Sequence, residues 1–198
     1  MLPSWFVGFS VVIRLFGGAQ YAWGVVRGKA RPNPITWFLW GLTPLIAFFA
    51  MIAESGFSAQ AFVLLALAVT PLVICFIAIM RDNPRQYFTP FSVACGLLAL
   101  MGIALWRVTE MPSIATAFCI AADIFATLPT LRKAYHDPAS EYAWPYAMSA
   151  LSMAVTLLTI THWAFVVYAF PLYMLTINAV LFVFARVPLK RYARVFLA

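Results

Sequence analysis

Three features of the chain predict an all-α integral membrane protein with seven transmembrane helices, its N-terminus outside and its C-terminus cytoplasmic. The first is composition: of 198 residues, 65% are hydrophobic and 10% are charged, against roughly 25% charged residues in soluble domains. The second is the grouping of apolar residues into seven runs, each long enough to cross a hydrocarbon core of about 30 Å as a helix that satisfies its own backbone in lipid. The third is the placement of Lys and Arg. Arg27, Lys29, Arg31, Arg81, Arg85, Arg132, Lys133, Arg186, Lys190, Arg191 and Arg194 all fall on one side of the seven-span scheme, Arg107 alone falls on the other, and Arg14 lies inside the first run. Cytoplasmic loops carry the excess of Lys and Arg, which fixes the orientation. The net charge of +7 is thereby a topological signal and not a nucleic-acid footprint.

The first span, 5 to 26, lacks a basic leader and an A-x-A cleavage site and carries Arg14 at its centre, so it is expected to remain in the mature protein. The second, 35 to 53, opens with Trp37 and Trp40 and contains Pro44. The third, 59 to 80, contains Thr70, Pro71 and Cys75, and the fourth, 88 to 106, contains Cys95. The fifth, 113 to 135, carries Cys119, Asp123, Thr127, Pro129 and Thr130. The sixth, 143 to 161, opens with Trp144, Pro145 and Tyr146, and a tight turn at Thr161, His162 and Trp163 leads into the seventh, 164 to 185, with Pro171 and Asn178. Residues 186 to 198 form a short basic amphipathic tail with Val187, Leu189, Tyr192, Val195 and Phe196, suited to a solvated or headgroup-associated end. The three cysteines sit in apolar runs without nearby His or Cys, so they read as small buried side chains, with neither zinc site nor disulfide framework.

Arg14 lies about 12 residues, roughly 18 Å, from the cytoplasmic end of its span, and Asp123 lies at nearly the same depth in the fifth. A charge near the midplane costs several kcal/mol, about 2.5 to 3.5 even on insertion scales, without a partner or a wet cavity. The two residues are therefore candidates for a gated ion pair or a substrate and proton site. The structural alternative is a permanent pair that locks the helices together. Asp123, Thr127 and Thr130 share one helix face by their i, i+4, i+7 spacing, a stripe suited either to a cavity wall or to helix packing. Ser149, Ser152, Thr156 and Thr159 form a second stripe, for which packing is the favoured reading. Asn178 is a deep carboxamide that needs a partner. Trp37, Trp40, Trp144 and Tyr146 suit the interfacial aromatic belt, with Trp40 the best candidate for a stacking platform because it lies a turn further in.

A shift of about 106 residues reveals a weak internal repeat. It pairs Arg27 with Lys133, Pro32 with Pro138, Phe38 with Trp144, Trp40 with Tyr146, Thr43 with Ser149 and Thr70 with Thr176. Spans 1 to 3 then match spans 5 to 7 in the same orientation, because four helices separate equivalent positions. The expected organisation is two parallel three-helix bundles and a linker helix (3+1+3): 1–86 as the first repeat, 87–111 as the linker, and 112–198 as the second repeat with its tail.

Within the second repeat, Leu128-Pro129-Thr130-Leu131-Arg132-Lys133-Ala134-Tyr135, a polar loop with Ser140 and Glu141, and the next span at Trp144 resemble the PQ-loop motif. In the first repeat, Ala19-Gln20-Tyr21 followed by Arg27, Lys29, Arg31 and Trp37 looks like a degenerate copy. Thr130 stands where that motif has Gln, and Ala19 where it has Pro. The chain thus resembles the PQ-loop, SWEET-like (MtN3-type) superfamily of membrane transporters, as a divergent bacterial-type member. The resemblance implies residence in the bacterial inner membrane and alternating-access transport of a small polar metabolite of the sugar, amino-acid or vitamin class at a midplane site. It also implies that Pro44, Pro129 and Pro145 act as hinges, with Gly17 and Gly18 the flexible point of the first span, and that Asn178 contacts substrate.

The expected partners are a small-molecule substrate and membrane lipid, with proton coupling and homo-oligomerisation left open and no nucleic acid, metal or cofactor. Catalytic chemistry is not expected. The seventh span has no Lys for a retinal Schiff base, H-E-x-x-H and G-x-S-x-G are missing, and His136 and His162 fall on opposite sides of the bilayer. The alternative function is a heptahelical interaction, sensor or assembly protein that does not transport, a reading that the motif departures at Ala19 and Thr130 favour.

Overall fold

The computed structural model describes residues 6–55, 59–108, 112–160 and 163–187. It contains seven α-helices: α1 (Phe6–Val26), α2 (Pro34–Ser55), α3 (Ala59–Arg81), α4 (Pro90–Val108), α5 (Pro112–His136), α6 (Trp144–Leu158) and α7 (Phe165–Arg186). Short 3₁₀ turns at Pro84–Tyr87 and Pro138–Ser140 precede α4 and α6. Among the described residues there is no strand. The expected tail from Leu189 to Phe196, with Lys190, Arg191 and Arg194, and the turn residues Thr161 and His162 lie outside the described residues.

Local chemistry sets the helix ends. Gly28 has φ of +73°, the left-handed conformation that glycine adopts without a Cβ penalty. Its N–H donates to Val25 O (2.9 Å) and the N–H of Lys29 donates to Gly24 O (2.8 Å), a Schellman closure of α1. Asn33 Oδ1 accepts from the N–H of Ile35 (3.0 Å), and Pro34 occupies the first position of α2, where a missing N–H is harmless. The sixth helix stops three residues short of the expected end. Thr159 N–H and its hydroxyl both turn back to Thr156 O, at 3.0 and 2.6 Å, so the last turn closes on itself.

Six helices form a closed ring. Packing runs from α1 to α3, α3 to α2, α2 to α5, α5 to α7, α7 to α6, and α6 back to α1. The remaining helix, α4, lies against α5 and α2. Glycines permit the closest approaches: a Cβ on Gly18 would lie 2.3 Å from Thr70 Cγ2, on Gly41 2.6 Å from Leu72 Cγ, and on Gly17 2.8 Å from Met148 Cβ. Gly17 and Gly18, expected as a flexible point, are thus the places where α1 touches α6 and α3. Pro44, Pro71, Pro129 and Pro171 lie inside their helices. Pro145 is the second residue of α6, where no helical hydrogen bond is lost.

Among the described residues, two helical segments, Gly8–Val26 and Val167–Arg186, are long and apolar enough to cross a membrane, and Leu67–Arg81, Pro90–Leu105 and Trp144–Leu158 are shorter apolar stretches. Large apolar side chains cover much of the outer surface: Phe16 and Trp23 on α1, Phe76 and Met80 on α3, Leu97 on α4 and Leu158 on α6 are each more than half exposed. The inner core gathers Tyr21, Val25, Trp37, Ile74, Tyr146 and Leu181 at the end of the ring that carries the basic loops.

Candidate functional site

Two carboxylates organise the polar interior, one on α5 and one just before α6. Asp123 sits midway along α5 and is half-buried. Its Oδ2 accepts from Tyr173 Oη of α7 at 2.7 Å and from Thr127 Oγ1, one turn along its own helix, at 3.4 Å. The indole N–H of Trp40, on α2, is adjacent to the same carboxylate, although buried Nε1 makes no hydrogen bond of normal geometry. Arg14 of α1, also half-buried, interacts with Asp123 through space. It makes no direct pair: the ion pair within 4 Å among the described residues is Lys133–Glu141. Since α1 packs on α3 and α6 and α5 packs on α2, α4 and α7, these opposite charges meet across the interior of the ring.

The structure places Thr127, Trp40 and Tyr173 around Asp123, with Arg14 interacting through space. Nothing in the sequence singles out Tyr173, one aromatic residue in an apolar run, because its role depends on how α7 docks against α5. Other expected members go elsewhere. Thr130 is fully buried, and its hydroxyl donates to Thr36 Oγ1 (3.0 Å), which in turn donates to Ala126 O (2.7 Å). It joins α5 to α2 and does not extend the stripe into a cavity. Asn178 is buried and spends its amide on its own helix, donating to Met174 O at 2.8 Å, about five residues along α7 from Tyr173 and so roughly 7.5 Å away. Two residues of the second polar stripe join helices: Ser152 Oγ donates to Ser10 O (2.7 Å) and Thr156 Oγ1 to Ser10 Oγ (3.2 Å), linking α6 to α1, whereas Thr159 bonds its own helix.

The second carboxylate, Glu141, is a feature that sequence reasoning noted only as a polar loop residue. Its side chain is completely buried. Glu141 Oε2 accepts from Tyr21 Oη (2.6 Å) and Tyr146 Oη (2.8 Å), and Oε1 faces Lys133 Nζ at 2.5 Å. Lys133 Nζ also donates to Arg31 O, and Arg31 N–H donates to Ser140 O at 2.8 Å. One carboxylate thus ties α1, α5, α6 and the α1–α2 loop together at the basic end of the ring. A charge this deep is tolerable only with such a full set of partners. The pairing could not be read in sequence because 120 residues separate Tyr21 from Glu141.

Outside the ring, Asp82 makes a smaller cluster beside the α3–α4 turn. Burial alone would raise its carboxyl. Hydrogen bonds from Tyr87 Oη (2.8 Å) and the N–H of Asn83 (2.9 Å), with Gln86 and the nearby Arg31 charge, hold it below the usual carboxylate range. A separate cavity of about 410 Å³ lies between α2, α3 and α4, lined by apolar groups such as Phe38, Leu39, Ile79 and Leu97. It contains none of the charged residues and offers nothing to orient a polar solute.

Compared with known proteins, the chain matches no family model, no curated protein and no solved structure.

Proposed function

We propose that this protein is a membrane transporter or facilitator that carries a small polar metabolite by alternating access through the six-helix ring. The observation that carries this reading is the interior site itself: Arg14 and Asp123, half-buried and opposite in charge, share an interior without touching. A permanent structural lock would need contact, since separated charges in a low-dielectric interior retain much of their desolvation penalty. A site that exchanges its contents gains from keeping the charges apart.

The outward-facing apolar surface supports residence in a bilayer, and the 11-to-1 distribution of basic residues supports an outside N-terminus and a cytoplasmic C-terminus. The packing order supports a 3+1+3 organisation of like-oriented bundles, α1–α3–α2 and α5–α7–α6, with α4 outside the ring. Equivalent contacts agree with it. A 106-residue shift carries the close approach of Gly24 to Tyr142 onto the Thr130–Thr36 hydrogen bond. In this reading the protein is a divergent PQ-loop, SWEET-like member of the bacterial inner membrane, and Glu141 closes the cytoplasmic end of the pathway.

The deciding experiment is uptake by purified protein in liposomes against a panel of sugars, amino acids and vitamins, with and without a proton gradient. Saturable uptake above protein-free vesicles supports transport, and no uptake of any solute in either condition overturns it. Reporter fusions test the topology: sites after Arg85 and Arg191 should read cytoplasmic, and sites at Ser55 and His162 external. Two of the four on the opposite side would refute seven spans. The extensive Glu141 cluster favours a second reading, a heptahelical interaction or assembly protein held in one conformation, and silence in the uptake assay would promote it.

A further inference from the structure

We infer that the interior site binds its solute through a carboxylate held by Arg14, so that the ligand class is a small organic monocarboxylic acid. The inference rests on the site reading above and specifies its chemistry. Among the described residues Arg14 makes no hydrogen bond and no ion pair within 4 Å, although a guanidinium carries five N–H donors and no acceptor. Asp123, by contrast, is already supplied by Tyr173 and Thr127 and flanked by the Trp40 indole N–H. The unmet demand in the site is thus for an acceptor, not for a cation.

The Trp40 indole N–H adds a second buried donor without an acceptor of normal geometry. A planar guanidinium fork matches a carboxylate in two parallel hydrogen bonds. Asp123 then limits the ligand's charge. A single ligand anion leaves the neighbourhood with one excess negative charge, while a dianion would place two beside an existing carboxylate in a poorly screened interior. Neutral sugars would give Arg14 hydrogen-bond acceptors but no charge-assisted pair.

The test uses the full-length protein in detergent, with thermal unfolding measured at matched ionic strength in chloride. Lactate and benzoate are compared with lactamide and benzamide, which have the same shape without the charge. A bound ligand raises the unfolding temperature with concentration. The expected result is a saturable rise with the acids and none with the amides, with R14Q weakening the acid response about 10- to 100-fold, as for loss of a charge-assisted pair, and R14K retaining part of it. Equal responses to acids and amides, no response to either, or an unaltered acid response in R14Q would overturn the inference. Should R14Q fail to fold, the acid–amide comparison on the parent protein and R14K decides it. Liposome uptake separates the two proposals: uptake of a neutral solute without acid binding sinks the carboxylate assignment alone, and acid binding without uptake of any solute sinks transport alone.

Discussion

The seam between α1 and α6 and the seam between α2 and α5 have the same sequence logic and opposite electrostatics. A shift of 106 residues carries Tyr21 and Tyr146 of the first seam onto Thr127 and Trp40 of the second. In the first, both tyrosine hydroxyls converge on Glu141, whose charge is cancelled by Lys133 at 2.5 Å. In the second, Thr127 and Trp40 flank Asp123, and the cation that answers it, Arg14, stands across the ring without contact. The difference teaches how each buried carboxylate is stabilised. Glu141 is neutralised by direct partners from several elements and acts as a clamp. Asp123 is stabilised by neutral donors, and Arg14 makes no direct ion pair with it.

The largest expected effect lies in the clamp. E141A would leave the Lys133 ammonium and two buried phenols without their acceptor, and loss of one partner of a buried pair costs about 3 to 5 kcal/mol. Thermal unfolding in detergent measures it, and a change under about 1 kcal/mol would show that Glu141 does not hold the basic end together.

At the opposite seam the signature is non-additivity. R14Q and D123N should each impair folding or uptake more than an apolar double replacement such as R14M with D123L, because removing both charges removes the desolvation problem. A double variant that folds and loses uptake marks a working site, whereas one that folds and transports marks a structural lock. D123N alone should abolish proton-driven accumulation while sparing exchange. If both single variants match the parent in expression, uptake and pH dependence, neither role holds.

Smaller effects probe the packing that sets the two seams. G18A places a methyl 2.3 Å from Thr70 Cγ2 and should destabilise by about 1 to 3 kcal/mol. Pairing it with T70S, which deletes that methyl, should recover much of the loss; failure of the rescue would move the strain elsewhere. T130V removes the donor to Thr36 and should cost about 1 kcal/mol, with S152A similar at the other seam. A shared magnitude would support equivalent seams, and a large imbalance would count against the repeat.

The smallest effect is acid dependence at the α3–α4 turn. Asp82 has a folded-state pKa below its unfolded value, so its stabilising contribution is fully present above the unfolded value of about 3.9 and is lost as pH falls through the folded one. Y87F removes one hydrogen bond to the ionised carboxylate and should move the loss to higher pH, followed by the carboxyl resonance of Asp82. An unchanged titration would assign the shift to Arg31 and the local backbone instead.

The sequence by itself determined the helical class, because its apolar runs are far longer than a strand and of helical length, and six of the seven helices end within about two residues of expectation. It also determined which charges are exceptional. Arg14 and Asp123 stand out because each interrupts an apolar run near the middle of its helix. Tertiary structure decided which side chains complete the polar clusters. Tyr173 reaches Asp123 only through the docking of α7 on α5, Thr130 is spent on Thr36, and Asn178 bonds its own helix. Glu141 looked like one more loop carboxylate until chain closure set it against Tyr21, 120 residues away. Periodicity and depth are local properties that a linear chain carries, whereas partnership between distant side chains depends on how the helices meet.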